Sequence, residues 1–153
     1  MEIVDGKPYI DQVTALIKEY TGRLNRNLAF QHLDEELKDP AAKYTAPAGE
    51  LLAAVEDGVV LGIVAYHKHS EERCEMKRLY VSPKGRGKLL GEKLVAAIID
   101  HARAAGYKEM VLDTLPHLKA AVHLYEKFGF EPCEPYYYNP MPDTMYFRKK
   151  LGE

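Results

Sequence analysis

Near the start of the chain, Ile10, Val13, Ile17, Tyr20 and Leu24 recur every three or four positions. That period lines one face of a helix with apolar groups, and Pro8 suits the helix's first turn. A shorter helix is predicted from His32 to Lys38, ending before Pro40, whose ring disfavours helical backbone in the residue preceding it. Between the two, Asn25 to Phe30 reads as a loop. The pattern then changes. Leu51 to Val55 and Val59 to His67 are apolar runs of strand length, and Glu56-Asp57-Gly58 between them is a hairpin signal. Arg73 to Val81 predicts a further strand, stopped by Ser82-Pro83.

Helical spacing returns in Leu90, Leu94, Ala97, Ile98, Ala102 and Ala105, closed by Gly106 where a C-terminal glycine belongs. Met110 to Asp113 is a short apolar strand. Ala121, Leu124, Tyr125 and Phe128 supply another helix face, stopped by Gly129, and Thr144 to Arg148 alternates as a last strand. At the start, Glu2 to Val4 leaves room for a short strand or none. Strand, helix and strand from Arg73 to Asp113 make a βαβ unit, which requires parallel strands. The whole order predicts an α/β fold, a mixed sheet with helices on both faces.

Composition narrows the classes. With 153 residues and no repeat, low-complexity tract or linker, the chain is expected to form one domain over 1–153. Apolar residues make up 46%, yet no window is long and pure enough to span a bilayer. The longest apolar run, Val59 to Tyr66, contains Gly62 and suits a buried strand. The segment Met1 to Pro8 lacks the basic start and apolar stretch of a signal peptide, so a cytoplasmic, membrane-free protein is expected. Cys74 and Cys133 stand alone, without a CxxC pair or a histidine cluster, and read as free thiols with no metal site. A net charge of -2 and a pI near 6.3 give no reason to expect a nucleic-acid partner.

The chemistry concentrates in Val81-Ser82-Pro83-Lys84-Gly85-Arg86-Gly87-Lys88-Leu89-Leu90-Gly91. A strand ends, a basic turn follows, and a helix begins, offering unpaired N–H groups and the positive end of its dipole to an anion. Gly85 and Gly87 allow close backbone approach; Lys84, Arg86 and Lys88 add charge suited to a diphosphate. By itself such a turn is equally compatible with a plain tight connection. It has neither P-loop nor dinucleotide-fingerprint spacing.

In context, this segment resembles motif A of the GNAT (Gcn5-related N-acetyltransferase) superfamily, V-x-P-x-x-[RQ]-x-x-G-x-[GA], with Val81, Pro83, Arg86 and Gly91 matching. Downstream, Leu124-Tyr125-Glu126-Lys127-Phe128-Gly129-Phe130 is similar to the family's motif B. The resemblance spans nearly the whole chain. It implies a GNAT-type, mostly antiparallel sheet around a βαβ core that binds acetyl-CoA, and an N-acetyltransferase acting on a primary amine, first of all a small molecule, by direct attack on the thioester. A protein N-terminal or lysine acetyltransferase and a non-catalytic acyl-CoA-binding module are the alternatives, and a homodimer is among the assemblies the family forms. Its implied cofactor contacts are the backbone of Leu79, Tyr80 and Val81 along the pantetheine arm, Arg86, Gly87, Lys88, Leu89, Leu90 and Gly91 at the pyrophosphate, and Leu118. The N–H of Leu79 is the implied partner of the acetyl carbonyl.

Tyr125 matches the tyrosine that protonates the departing thiolate, a transfer that pKa values near 10 and near 8.5 permit; it also fits the apolar stripe Ala121–Leu124–Phe128 as a packing residue. Glu75 is the candidate general base. Uninterrupted strand alternation puts it on the side of Leu79 and Val81, while the other reading is a solvated carboxylate paired with Lys77. His67, His69, Glu71 and Glu72 lie near it in sequence and could substitute. Two departures from the family pattern stand out: Leu89 replaces motif A's first glycine, and Leu118 or Lys119 stands where many members carry an asparagine. The acceptor is expected against Phe30 in the first loop and Tyr137 and Tyr138 in the later loop Tyr136 to Asp143. That later loop could equally be a rigid connection or a dimer contact.

Overall fold

The computed structural model describes residues 2–24, 44, 49–137, 139 and 141–152, with backbone alone for 23 and 24. The expected loop at 25–30, the helix at 32–38, Phe30 and Tyr138 fall outside those residues. Strand β1 (Glu2–Asp5) leads through a one-turn 3-10 segment, Lys7–Tyr9, into helix α1 (Ile10–Leu24). Strands β2 (Gly49–Glu56), β3 (Val59–Lys68) and β4 (Arg73–Val81) follow, then helix α2 (Leu90–Ala104), strand β5 (Glu109–Thr114) and helix α3 (Lys119–Lys127). Strands β6 (Glu131–Pro132) and β7 (Met145–Lys150) close the chain. The first strand does form, pairing Glu2 with Val55 through Asp5 with Leu52; β6, two residues long, was not legible from periodicity.

Among the described residues seven strands make one sheet in the order β1-β2-β3-β4-β5-β7-β6, antiparallel except where β4 runs parallel to β5. The hairpin joining β2 to β3 turns on Asp57 and Gly58 alone, both with positive φ (52° and 77°), which matches the right-handed twist of the flanking strands. Alternation along β2 divides the core. Leu51, Ala53 and Val55 join Val13 and Ile17 of α1 on one face. Leu52 and Ala54 join Leu90, Leu94 and Ile98 of α2 and Tyr125 of α3 on the other. Among the described residues no helix is long and apolar enough to cross a membrane.

Two local features shape the region where β4 ends. In β4, Lys77 opposes Ala65 and Tyr80 opposes Ile63, so Arg78 and Leu79 share the single position opposite Val64: a bulge, with Arg78 held at φ 60°. After β4, the 3-10 turn Pro83–Gly85 tucks Gly85 against Leu61 and Leu90, where an added Cβ would sit 2.9 Å from a Leu90 methyl. Helix α2 then starts from Leu89, also left-handed (φ 57°, ψ 30°), whose carbonyl accepts from the Lys93 N–H at 3.2 Å.

A left-handed conformation costs an ordinary L-residue roughly 1–2 kcal/mol and a β-branched one more. Glycine removes that strain but gains backbone freedom when unfolded, which offsets part of it. Leu89→Gly is therefore expected to raise the thermal midpoint by roughly 1–3 °C, and Leu89→Val to lower it by a few degrees. Scanning calorimetry of the two variants checks the order glycine, leucine, valine; any other order removes the strain assignment.

Candidate functional site

β4 and β5 pair only over Arg73–Glu75 and Glu109–Val111. Past that point each strand keeps its outer neighbour, β4 pairing β3 as far as Val81 and β5 pairing β7 as far as Thr114, while the two part from each other. Among the described residues, the end of β4 thus has no strand beside it on the β5 side. Over the gap lies a cleft of about 500 Å3, lined by Leu79, Tyr80 and Val81, by Arg86 and Gly91, and by Leu118, Ala121, Leu124 and Tyr125 of the α3 region. These bring together most of the residues singled out in sequence. At Gly91 an added Cβ would make an ordinary contact with a Leu124 methyl, at 3.4 Å.

Gly87, Lys88, Leu89 and Leu90 do not line the cleft by side chain. Gly87 takes φ 84° in the turn. The Lys88 ammonium donates to Glu56 at 2.6 Å. Leu90 is buried in the core, and Leu89 is 69% exposed. What this segment offers an anion is the backbone of the helix start together with Arg86.

A smaller cavity of about 50 Å3 adjoins the cleft. Both are lined by Tyr20, Leu79, Thr114, Leu118 and Tyr125; the smaller adds Met76, Lys77, Arg78, Asp113 and residues of the loop before β7 (Asn139, Met141, Thr144). Tyr125 is therefore at the junction. Its ring packs on Phe130 (5.9 Å) and Phe147 (6.4 Å), and its hydroxyl forms no hydrogen bond among the described residues. Burial pushes the phenol pKa well above its ordinary value, so it carries its proton at any working pH. The ring thus packs in the core while the same side chain lines both cavities.

Asp113 was read in sequence only as the end of a strand. It is a partly buried carboxylate lining the small cavity, accepting a hydrogen bond from the Tyr137 hydroxyl. Asn139 donates to that same hydroxyl at 2.9 Å and accepts from the Met141 N–H at 2.8 Å, so the loop is stitched down beside the carboxylate. Burial raises the pKa of Asp113, against the hydrogen bond from Tyr137 and the charges of Lys77 and Arg78. Tyr20, read as a core position of α1, also reaches both cavities; its burial likewise raises its pKa. A polar residue at the end of a central strand beside a parallel crossover was the signal available for Asp113.

Glu75 is placed differently from the expectation. The bulge at Arg78–Leu79 inserts one residue, so the alternation reverses beyond it: Glu75 and Lys77 share a side with Tyr80, and Met76 shares one with Leu79 and Val81. The carboxylate lines neither cavity. It accepts from His67 Nε2 at 2.7 Å and from the Tyr136 hydroxyl at 2.5 Å, and is almost fully buried. Burial would raise its pKa, but the hydrogen bond from His67, the charge of Lys77 and the hydrogen bond from Tyr136 together hold it at about 2. Of the neighbours that could substitute, His67 is this partner, His69 packs edge-on against Tyr136 (5.3 Å), and Glu71 pairs with Lys68 at 2.7 Å.

The family model for the acetyltransferase (GNAT) family matches residues 12–130. An uncharacterised N-acetyltransferase of Schizosaccharomyces pombe is 44% identical over 146 residues, covering 94% of this chain and 90% of that one. An IAA acetyltransferase of Azospirillum brasilense is 33% identical over 155 residues, covering 97% of each chain. Among solved structures, a GNAT-family acetyltransferase of Staphylococcus aureus superposes with a TM-score of 0.81 over 98% of both chains at 16% identity. A Salmonella typhimurium protein solved with its cofactor acetyl-CoA gives 0.72 over 100% of this chain and 95% of that one at 21% identity. At those identities the two structures speak to the fold.

A carboxylate held at about 2 instead of its ordinary 4.5 adds stability above its unfolded pKa and loses it as pH falls toward 2, a swing of about 3 kcal/mol. Glu75→Gln should accordingly be less stable than wild type at neutral pH, with the gap closing between about pH 5 and about pH 2. Urea unfolding across that range measures it; a gap independent of pH would mean the buried pair stabilises nothing through ionisation.

Proposed function

We propose that this chain, which belongs to the acetyltransferase (GNAT) family, moves an acetyl group from acetyl-CoA to the primary amine of a small molecule by direct attack on the thioester. The observation carrying this reading is Tyr125 at the junction of two spaces, a long cleft along an unpaired strand edge and a compact cavity lined by the Asp113 carboxylate. The residues suit the cofactor. A chain of amides can run beside the free edge of Leu79 to Val81, apolar Ala121 and Leu124 face its methylenes, and Arg86 with the first N–H groups of α2 meets a diphosphate.

When bound, acetyl-CoA supplies an acetyl group activated as a thioester. The backbone of Leu79 and Val81 would hold the arm, and the Leu79 N–H would polarise the acetyl carbonyl. An ammonium acceptor must lose a proton before it attacks. Asp113 takes it, being in the small cavity with a pKa raised by burial, which makes it the stronger base. Glu75, at about 2 and walled in by His67 and Tyr136, acts instead by fixing Tyr136 and with it the loop over the cavity. As the C–N bond formed and the C–S bond broke, Tyr125 would be the group that protonates the departing sulfur. The nitrogen's second proton then restores the phenol, and the proton on Asp113 leaves to solvent.

Tyr125→Phe is expected to lower kcat about 100-fold while the dissociation constant for acetyl-CoA, measured by calorimetry, stays within about threefold. Unchanged turnover in a thiol-release assay would remove the acid role.

Asp113→Asn should lower kcat/KM about 100-fold near neutral pH. The deficit should shrink at alkaline pH, where free amine is more abundant. A deficit constant across pH would make Asp113 a binding group alone.

A further inference from the structure

Tyr125 is not the only phenol at the junction of the cleft and the small cavity. Tyr20, near the end of α1, lines both spaces as well. The two come from opposite faces of the sheet, Tyr20 from the core packed on α1 and Tyr125 from the core packed on α2 and α3. Both border the opening where β4 and β5 no longer pair. Neither hydroxyl has a hydrogen-bond partner among the described residues.

The Tyr20 ring is held by β4 itself. Beyond the bulge Tyr80 faces α1, and its ring packs on Tyr20 with centroids 5.6 Å apart. The Tyr80 hydroxyl donates to Glu19, the residue before Tyr20, at 2.6 Å. The strand that offers its backbone to the cofactor thus also fixes the helix turn that carries the second phenol.

Electrostatics gives this second phenol a task. Burial disfavours ionisation of Tyr125 most, and negative charge at Tyr20 or Asp113 disfavours it further, so the three groups lie within one another's fields. When Tyr125 protonates sulfur, its oxygen becomes an anion in a residue only 7% exposed. Such an anion is costly unless a donor meets it. Tyr20 keeps its proton, because burial raises its pKa too, and a neutral phenol donates one hydrogen bond.

We propose that Tyr20 is a positioning residue that acts through Tyr125, its hydroxyl donating to the Tyr125 oxygen and steadying the phenolate while the thiol departs. This assignment rests on the acetyl-transfer reading above and adds a second residue to its proton step. The bonds balance without a further reactant. The C–S electron pair stays on sulfur and takes the Tyr125 proton; the phenolate then takes the second proton of the acceptor nitrogen as the amide forms. Tyr20 retains its own proton throughout.

The test measures thiol release with saturating acetyl-CoA and the best acceptor in a panel of small primary amines running from ethylamine and glycine to benzylamine. Tyr20→Phe removes one hydroxyl and keeps the ring against Tyr80. It should lower kcat about tenfold, the loss of one hydrogen bond to a charged oxygen. The KM for the amine, and the dissociation constant for acetyl-CoA by calorimetry, should stay within about threefold. Two further readouts exclude a merely structural role. In a Tyr125→Phe background, Tyr20→Phe should cost less than about twofold more, since the hydroxyl it serves is gone. With the selenium analogue of acetyl-CoA, whose more acidic leaving group needs little help from a proton donor, each single variant should come within about twofold of wild type. Additive losses in the double variant, or a Tyr20→Phe deficit as large with selenium as with sulfur, would overturn the proposal while leaving acetyl transfer standing. Unchanged turnover in Tyr125→Phe would remove the acid and this proposal with it. Acetyl-CoA bound but no thiol released with any amine of the panel would overturn the acetyl-transfer reading as well.

Discussion

Everything at the site depends on where β4 stops pairing with β5. Two parallel strands joined by a helix ordinarily stay together, since each unpaired N–H and C=O in a sheet interior costs free energy. Here three residues of each strand pair and then the strands part. Their outer partners hold them in the sheet while the gap opens, so the cost falls only on the facing edges. Those edges become the asset. An extended ligand with its own amides can replace the missing strand, and its place in the sheet decides which helix ends and side chains it meets.

The bulge beside that gap has a second consequence, for electrostatics. By inserting one residue it sends Glu75 to the face packed against α1 and places Arg78 in the wall of the small cavity and Leu79 in the walls of both spaces. Two carboxylates a strand apart thereby acquire opposite characters. Glu75 accepts from two donors beside a nearby cation, and its carboxyl is held well below the usual range; Asp113 is desolvated with fewer compensations and becomes a better proton acceptor. Identity of the side chain matters less here than the number of donors that follow it into the interior.

The late loop shows how aromatic residues serve both carboxylates. Tyr136 bonds Glu75 and Tyr137 bonds Asp113, and both rings contact Tyr146 of β7 (5.6 and 6.1 Å). Consecutive tyrosines in an irregular segment can point to different places, as alternation within a strand would not permit. The run therefore reads in sequence as a wall or a stiff connection, and in the structure as two hydrogen-bond donors assigned to two separate acids.

By itself the sequence determined what local rules can express: the two helix stripes on either side of the hairpin, the Asp57-Gly58 turn, the strand from Arg73 to Val81, the glycine-bearing turn into α2, and motif B around Tyr125. Each depends on period, turn chemistry or spacing, which are properties of neighbouring residues. The edge strand β1 and the two-residue β6 were at the limit of that reading, since strands so short exist only through their partners. Which carboxylate enters the site was beyond it. Alternation places Glu75 beside Leu79 unless a residue is inserted, and a bulge leaves no mark in the pattern of Arg73 to Val81. Asp113, Arg78 and Tyr20 lie on three different elements, and only the packing of α1 and the parted strands brings them to one cavity. Tertiary structure decided the chemistry because charge, burial and hydrogen-bond supply are set by groups distant along the chain.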